Sequence, residues 1–127
     1  MIKDPNVYLK DIMKKILNSY SIIDELSDQP NDLQILKIEL QKINGFLLVL
    51  SKKLCLVNVD KSTTKKLENK INLYFKNYDF SREINLLIDT YANDSLRVKN
   101  IQMSVINSLN DGRLMESIYE KYNSVHE

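Results

Sequence analysis

Apolar side chains recur at spacings of three and four residues through the middle of the chain, as on one face of an α-helix. The members of this seam are Leu33, Leu36, Leu40, Ile43, Leu47, Leu50, Leu54 and Val57. The stretch INGFLLVL at 43–50 contains Asn-Gly, which is also the strongest short-range signal for a β-hairpin. Because the helical period runs through Gly45 without a break, we predict a helix over about 31–57.

The same period predicts helices on both sides of this one. Asp4 is typical of an N-cap and Pro5 of a first helical position, so a helix is expected over about 5–26. The connector at 27–30 is short, which favours an antiparallel arrangement of the first two helices. A third helix is predicted over about 61–77.

The last third of the chain carries three further boundary signals. Ser81 is a candidate cap for a fourth helix. The Asn-Asp-Ser at 93–95 favours a break or kink before the apolar stripe resumes at Val98. The Asn-Asp-Gly at 110–112 is typical of a turn, because glycine readily takes the left-handed conformation that ends a helix. A last helix is expected after it.

The composition agrees with a helical fold. The 127 residues include only two glycines and two prolines, so long uninterrupted helices are expected. A chain of this length buries roughly two-thirds of its surface on folding, enough for one core without metals or disulfides. We therefore predict an all-α fold in a single domain over 1–127. It is expected to be a compact bundle of five or six helices, with the helix around 31–57 at its centre.

Localisation signals are few. The only cysteine, Cys55, cannot form an internal disulfide, which favours a reducing compartment. The polar N-terminus reaches Pro5 before any long apolar run begins, so no secretory signal is expected. The uncharged run from Ile43 to Ser51 is far shorter than the ~20 residues that cross a bilayer. We expect a soluble, cytoplasmic protein with no membrane partner.

Residues that carry catalysis or bind metals are scarce. Cys55 and the only histidine, His126, cannot together supply the four ligands of a zinc site, and acid–base or nucleophilic catalysis lacks its usual groups. Glycines at 45 and 112 alone cannot form a phosphate-binding loop. Four carboxylates cluster between residues 24 and 32, but their spacing matches no calcium loop and suits helix starts. We predict no enzymatic activity, no cofactor and no metal.

Positive charge concentrates in and just before the third predicted helix. Seven lysines stand between residues 52 and 76 against Asp60 and Glu68, a local balance of +5, whereas the chain from residue 77 onward carries a balance of −3. On a helical wheel, five lysines share the side opposite the apolar stripe: Lys61, Lys65, Lys66, Lys70 and Lys76. Such a face either contacts phosphates or an acidic partner, or is an ordinary solvated surface.

The predicted central helix also carries apolar residues on the side opposite its seam. Ile38, Val49 and Leu56 lie there, close to Gly45. Two interpretations remain open: the chain's own helices cover this side, or it is a surface for a partner or a second copy. A mid-helix glycine costs up to ~1 kcal/mol relative to alanine, so we expect Gly45 to mark a close helix-to-helix contact inside the bundle.

The scarcity of reactive groups and the abundance of apolar helical faces predict a non-enzymatic protein-interaction module, a small helical adaptor, inhibitor, immunity protein or chaperone. Its partner is expected to be another protein or a second copy in a homodimer. Candidate contact residues are Ile38, Gly45, Val49, Leu56, Tyr74 and Tyr78, since tyrosine suits both core edges and binding surfaces. The alternative is nucleic-acid binding through the lysines of the third helix, although arginine, preferred for bidentate phosphate contacts, is absent there.

Overall fold

Helices fill most of the chain, as the apolar period and the scarcity of glycine and proline predict. The computed structural model describes residues 5–54, 61–91 and 93–124. These residues form α1 Pro5–Asp24, α2 Asp32–Leu54, α3 Lys61–Asn77, α4 Ser81–Thr90, α5 Ser95–Asn110, a 3₁₀ turn Asp111–Arg113 and α6 Leu114–Ser124. No strand occurs in these ranges, so the predicted all-α bundle is confirmed. Within the same ranges, no helix has the length and apolar character needed to cross a bilayer.

The central helix α2 continues without interruption through Asn44 and Gly45, so the helix prediction is confirmed and the hairpin interpretation is wrong. Its described seam is entirely buried: Leu33, Leu36, Leu40, Ile43, Leu47, Leu50 and Leu54. Burial of each such side chain contributes about 1.5–3 kcal/mol, which together far exceeds the ~1 kcal/mol that one glycine costs. The predicted N-cap Asp4 and the predicted last turn after Leu54 lie outside the described residues.

Four helices pack against α2, namely α1, α3, α4 and α5. α1 runs antiparallel to α2, as the short connector predicts. Ser19 Oγ donates to Glu39 Oε1 at 3.2 Å, and nearer the other end the Lys53 ammonium lies 5.5 Å from the centroid of the Tyr8 ring. α6 packs against α1, α3 and α5 and completes the core. The seam residue Leu47 therefore lies among several helices and has no exposed surface.

Short polar residues mark the helix boundaries. Asp94 caps α5, since its carboxylate accepts the Arg97 backbone N–H, and this confirms the break predicted at 93–95. Gly112 has a φ of 61°, as the predicted turn requires. Ser81 was predicted as the cap of α4 but is its first helical residue. The carboxylate of Asp79, two positions earlier, accepts hydrogen bonds from both the N–H and the hydroxyl of Ser81. The side chain that stabilises the start of α4 is therefore that of Asp79, two residues before the predicted cap.

Candidate interaction surface

One side of α2 faces away from the core. We define the outer face of α2 as the residues that recur at spacings of three, four and seven on its exposed side: Ile38, Gln41, Gly45, Leu48, Val49 and Lys52. Ile38 is 52% exposed and Leu48 51% exposed, whereas Val49 is half-buried against the core. Leu56, predicted on the same side, lies outside the described residues. The outer face thus carries two large apolar side chains that the described fold leaves half in solvent.

Gly45 lies exposed at the middle of this face. A methyl group built on its Cα would meet no atom of the described residues within 4 Å. The expected close helix-to-helix contact inside the bundle is therefore wrong. The physical reason is the placement of the neighbouring helices: α1 reaches α2 at Glu39 and Phe46, and α3 reaches it at Asn44, on the two borders of the seam. The other interpretation, a surface for a partner, stays a prediction.

Asn44 and Gly45, the pair that resembles a hairpin turn, have separate roles in α2. The Tyr74 hydroxyl donates to Asn44 Oδ1 at 2.8 Å and so ties α3 to α2. Tyr74 is only 5% exposed, and this burial, together with the negative charge of Asp79, raises the pKa of its hydroxyl well above the ordinary value. Tyr74 therefore stabilises the fold and offers little surface to another protein. Its assignment as a partner-binding residue stays a prediction.

Tyr78 also acts within the fold. Its hydroxyl donates to Asp111 Oδ2 at 2.8 Å, and that hydrogen bond raises the pKa of Tyr78. The Tyr78 ring stacks on Phe80 with the two planes 8° apart. The side chain is half-buried and fastens α3 to the turn that precedes α6. Because the partners of Tyr74 and Tyr78 lie 30 and 33 residues away in the chain, spacing alone did not reveal these roles.

The predicted basic face on α3 is smaller than expected. Lys65, Lys66 and Lys76 are exposed, but the Lys70 ammonium donates to the Gly112 carbonyl oxygen and holds the turn before α6. The hydrogen bond from Arg113, with the nearby charge of Lys70, also keeps the pKa of Glu116 below its ordinary value. Lys70 thus interacts with the acidic last third of the chain inside the fold. The side chain of Lys61 lies outside the described part of the structure.

A groove between α1 and α6 gathers three tyrosines that sequence reasoning did not bring together. Tyr20, Tyr119 and Tyr122 line it, with a cavity volume of about 530 Å³. The Tyr20 hydroxyl accepts a hydrogen bond from the Asn110 side-chain amide at 2.9 Å. The pairing of Tyr119 and Tyr122 at a spacing of three was the only available signal. Tyr119 is 57% exposed, so this groove is a second accessible surface.

A concavity of about 770 Å³ lies at the end of the bundle between the α1–α2 connector and the start of α5. Its buried polar groups have partners within the chain. Asp32 Oδ2 accepts from the Gln29 N–H at 3.0 Å, and Gln102 Nε2 donates to the carbonyl oxygens of Ile23 and Leu26 at 2.8 and 3.1 Å. Among the described residues, no three His, Cys, Asp or Glu side chains are grouped so that they could hold a metal ion. Of the acidic residues at 24–32, Asp32 thus stabilises the start of α2 through its hydrogen bond from the Gln29 N–H.

Comparison of the chain with protein-family models, curated protein sequences and solved structures finds no match in any of the three.

Proposed function

We propose that this chain is a non-enzymatic interaction module that binds another protein through the outer face of α2. The observation that carries the proposal is the open space at Gly45, flanked by two half-exposed apolar side chains, Ile38 and Leu48. A mid-helix glycine costs up to ~1 kcal/mol, and the described fold contains no close contact that compensates for this cost. A partner backbone that approaches at Gly45 supplies that compensation.

The geometry suits a helical contact. Ile38 and Leu48 lie on opposite sides of Gly45 along the helix axis, about 15 Å apart at 1.5 Å per residue. Apolar side chains at helical spacing are the usual anchors where one helix binds another protein. The tyrosine-lined groove between α1 and α6 is also accessible, but one of its tyrosines, Tyr20, already accepts a hydrogen bond from Asn110 within the chain.

The test is an affinity capture with three baits: the unmodified chain, Ile38→Arg and the control Tyr119→Arg. Tyr119 is as exposed as Ile38 and lies on α6, which packs against α1, α3 and α5. Captures are made from cells of the organism of origin, with and without nuclease, and identified by mass spectrometry. Circular dichroism confirms that all three baits fold.

The proposal predicts proteins that the unmodified chain and Tyr119→Arg retain, that Ile38→Arg loses, and that nuclease treatment leaves in place. Equal recovery on all three baits contradicts it, because the outer face then contributes nothing. Recovery of nucleic acid alone, abolished by Lys65→Gln/Lys66→Gln, contradicts it in favour of the basic face on α3.

A further inference from the structure

We infer that the partner at the outer face of α2 is an amphipathic helix with acidic residues beside its apolar stripe. This inference rests on the proposed function and adds the chemistry of the partner. Every charged residue of α2 that reaches solvent is a lysine: Lys37, Lys42, Lys52 and Lys53. The two carboxylates of α2, those of Asp32 and Glu39, are buried. The exposed charge on and beside the outer face of α2 is therefore positive.

Two of these four lysines interact with another side chain of the fold, and two do not pair with a carboxylate. Lys42 pairs with Glu39 at 3.0 Å, and Lys53 lies over the Tyr8 ring. In the described part of the chain, no carboxylate pairs with Lys37 or Lys52. They stand fifteen positions apart, which is about 22 Å along the axis, or four helical turns. A partner helix of four to five turns with an acidic residue toward each end would neutralise both, a complementarity that speeds and orients docking.

Gly45 favours a helix as the bound element. Two helices approach most closely where side chains are smallest, since their axial separation depends on the residues at the crossing. Ile38 and Leu48 then insert on either side of the crossing, against apolar residues that recur at i, i+3 or i+4 and i+7 on the partner. A flat lipid surface gains nothing from a missing Cβ atom. The combination of glycine and flanking anchors thus points to a protein backbone.

A second copy of this chain fits the charges poorly. In a symmetric antiparallel pair that crosses at Gly45, Ile38 of one copy lies opposite Lys52 of the other, and Lys37 lies opposite Lys53. A parallel pair brings Lys52 against Lys52. Both arrangements place like charges or unmatched ammonium groups at the interface, which opposes association. An acidic helix meets the same lysines with opposite charge.

The test is a selection from a displayed library of helical peptides of about 18 residues, long enough to span about 27 Å. The library is enriched on the unmodified chain after depletion on Ile38→Arg. We expect the enriched peptides to combine an apolar stripe with a net negative charge. Their affinity should fall about three- to tenfold in Lys37→Gln/Lys52→Gln, more at low salt than at high salt. The matched control Lys65→Gln/Lys66→Gln, on α3, should leave affinity unchanged.

The outcomes separate the two proposals. Peptides that require Ile38 but carry no excess of acidic residues overturn the acidic helix and leave the interaction surface standing. If no peptide remains enriched on the unmodified chain after depletion on Ile38→Arg, both proposals are overturned. Two further results would overturn the acidic helix as the partner. One is binding to vesicles of anionic phospholipid that Ile38→Arg abolishes. The other is a concentration-dependent dimer, seen on size-exclusion chromatography with light scattering, that Ile38→Arg abolishes. The face would then belong to a membrane or to a second copy.

Discussion

The two sides of α2 carry similar residues in opposite surroundings. Leu36, Ile43 and Leu47 on the inner seam have no exposed surface, whereas Ile38 and Leu48 on the outer face are half exposed. The apolar residues on both sides recur with the helical period, and from the sequence alone either side could be buried in the core. The comparison teaches that an apolar residue on a central helix is buried only where another helix arrives, and the positions of α1, α3 and α4 decide where that is.

The contrast is sharpest at the adjacent residues Asn44 and Gly45. Asn44 serves the fold, because its side chain accepts the hydrogen bond from the buried Tyr74 hydroxyl. Gly45 serves no described contact, because the space beside it is open. Two adjacent residues that together resemble a hairpin turn therefore lie in different surroundings. Asn44 accepts a hydrogen bond within the fold, and Gly45 lies at the surface.

The largest expected difference in stability is between alanine substitutions at the adjacent residues Leu47 and Leu48. Leu47→Ala should lower the free energy of unfolding by about 2–5 kcal/mol, because it removes buried methyl groups and leaves a cavity. Leu48→Ala, the matched control on the outer face, should cost less than about 1 kcal/mol. Urea denaturation of both variants measures the two losses. Similar losses would mean that the inner and outer sides of α2 are not distinct.

Alkaline pH should lower the free energy of unfolding because Tyr74 is buried in the core. The pKa of its hydroxyl is raised in the fold by burial and by the charge of Asp79, so above pH ~10 the unfolded chain releases a proton that the folded chain retains. The free energy of unfolding should therefore fall as the pH rises above ~10, by about 1.4 kcal/mol per pH unit from this group.

The variant Tyr74→Phe should lack this part of the pH dependence. Tyr119→Phe, at an exposed tyrosine, leaves the buried hydroxyl in place and is the matched control. Denaturation midpoints of the three proteins between about pH 9 and pH 11 provide the measurement. An equal alkaline loss in Tyr74→Phe and the unmodified chain would show that Tyr74 is not the group responsible.

Asn44→Ala should lower the free energy of unfolding by about 1 kcal/mol. It leaves the buried Tyr74 hydroxyl without its acceptor, which costs about 1–3 kcal/mol, while alanine recovers up to ~0.7 kcal/mol of helix propensity. A double-mutant cycle with Tyr74→Phe isolates the interaction. Additive effects of the two changes would mean that this hydrogen bond does not connect α2 and α3.

Local signals predicted the helices well. The apolar period located α2 through Gly45, and short polar residues located the break before α5 and the turn at Gly112, because each depends on neighbours within about four residues. The exposure of the candidate contact residues was harder to predict, for the opposite reason. Whether Tyr74 or Ile38 is covered depends on helices that arrive from distant parts of the chain, such as α3, whose contact with Asn44 spans 30 residues.

The central claim is that the outer face of α2 is open in the chain itself, and Gly45→Ala tests it most directly. The added methyl meets no described atom, and alanine has the higher helix propensity. The free energy of unfolding, measured by urea denaturation of the isolated chain, should therefore rise by up to ~1 kcal/mol. A fall of about 1–3 kcal/mol would mean that another part of the chain packs against Gly45, and would contradict the account.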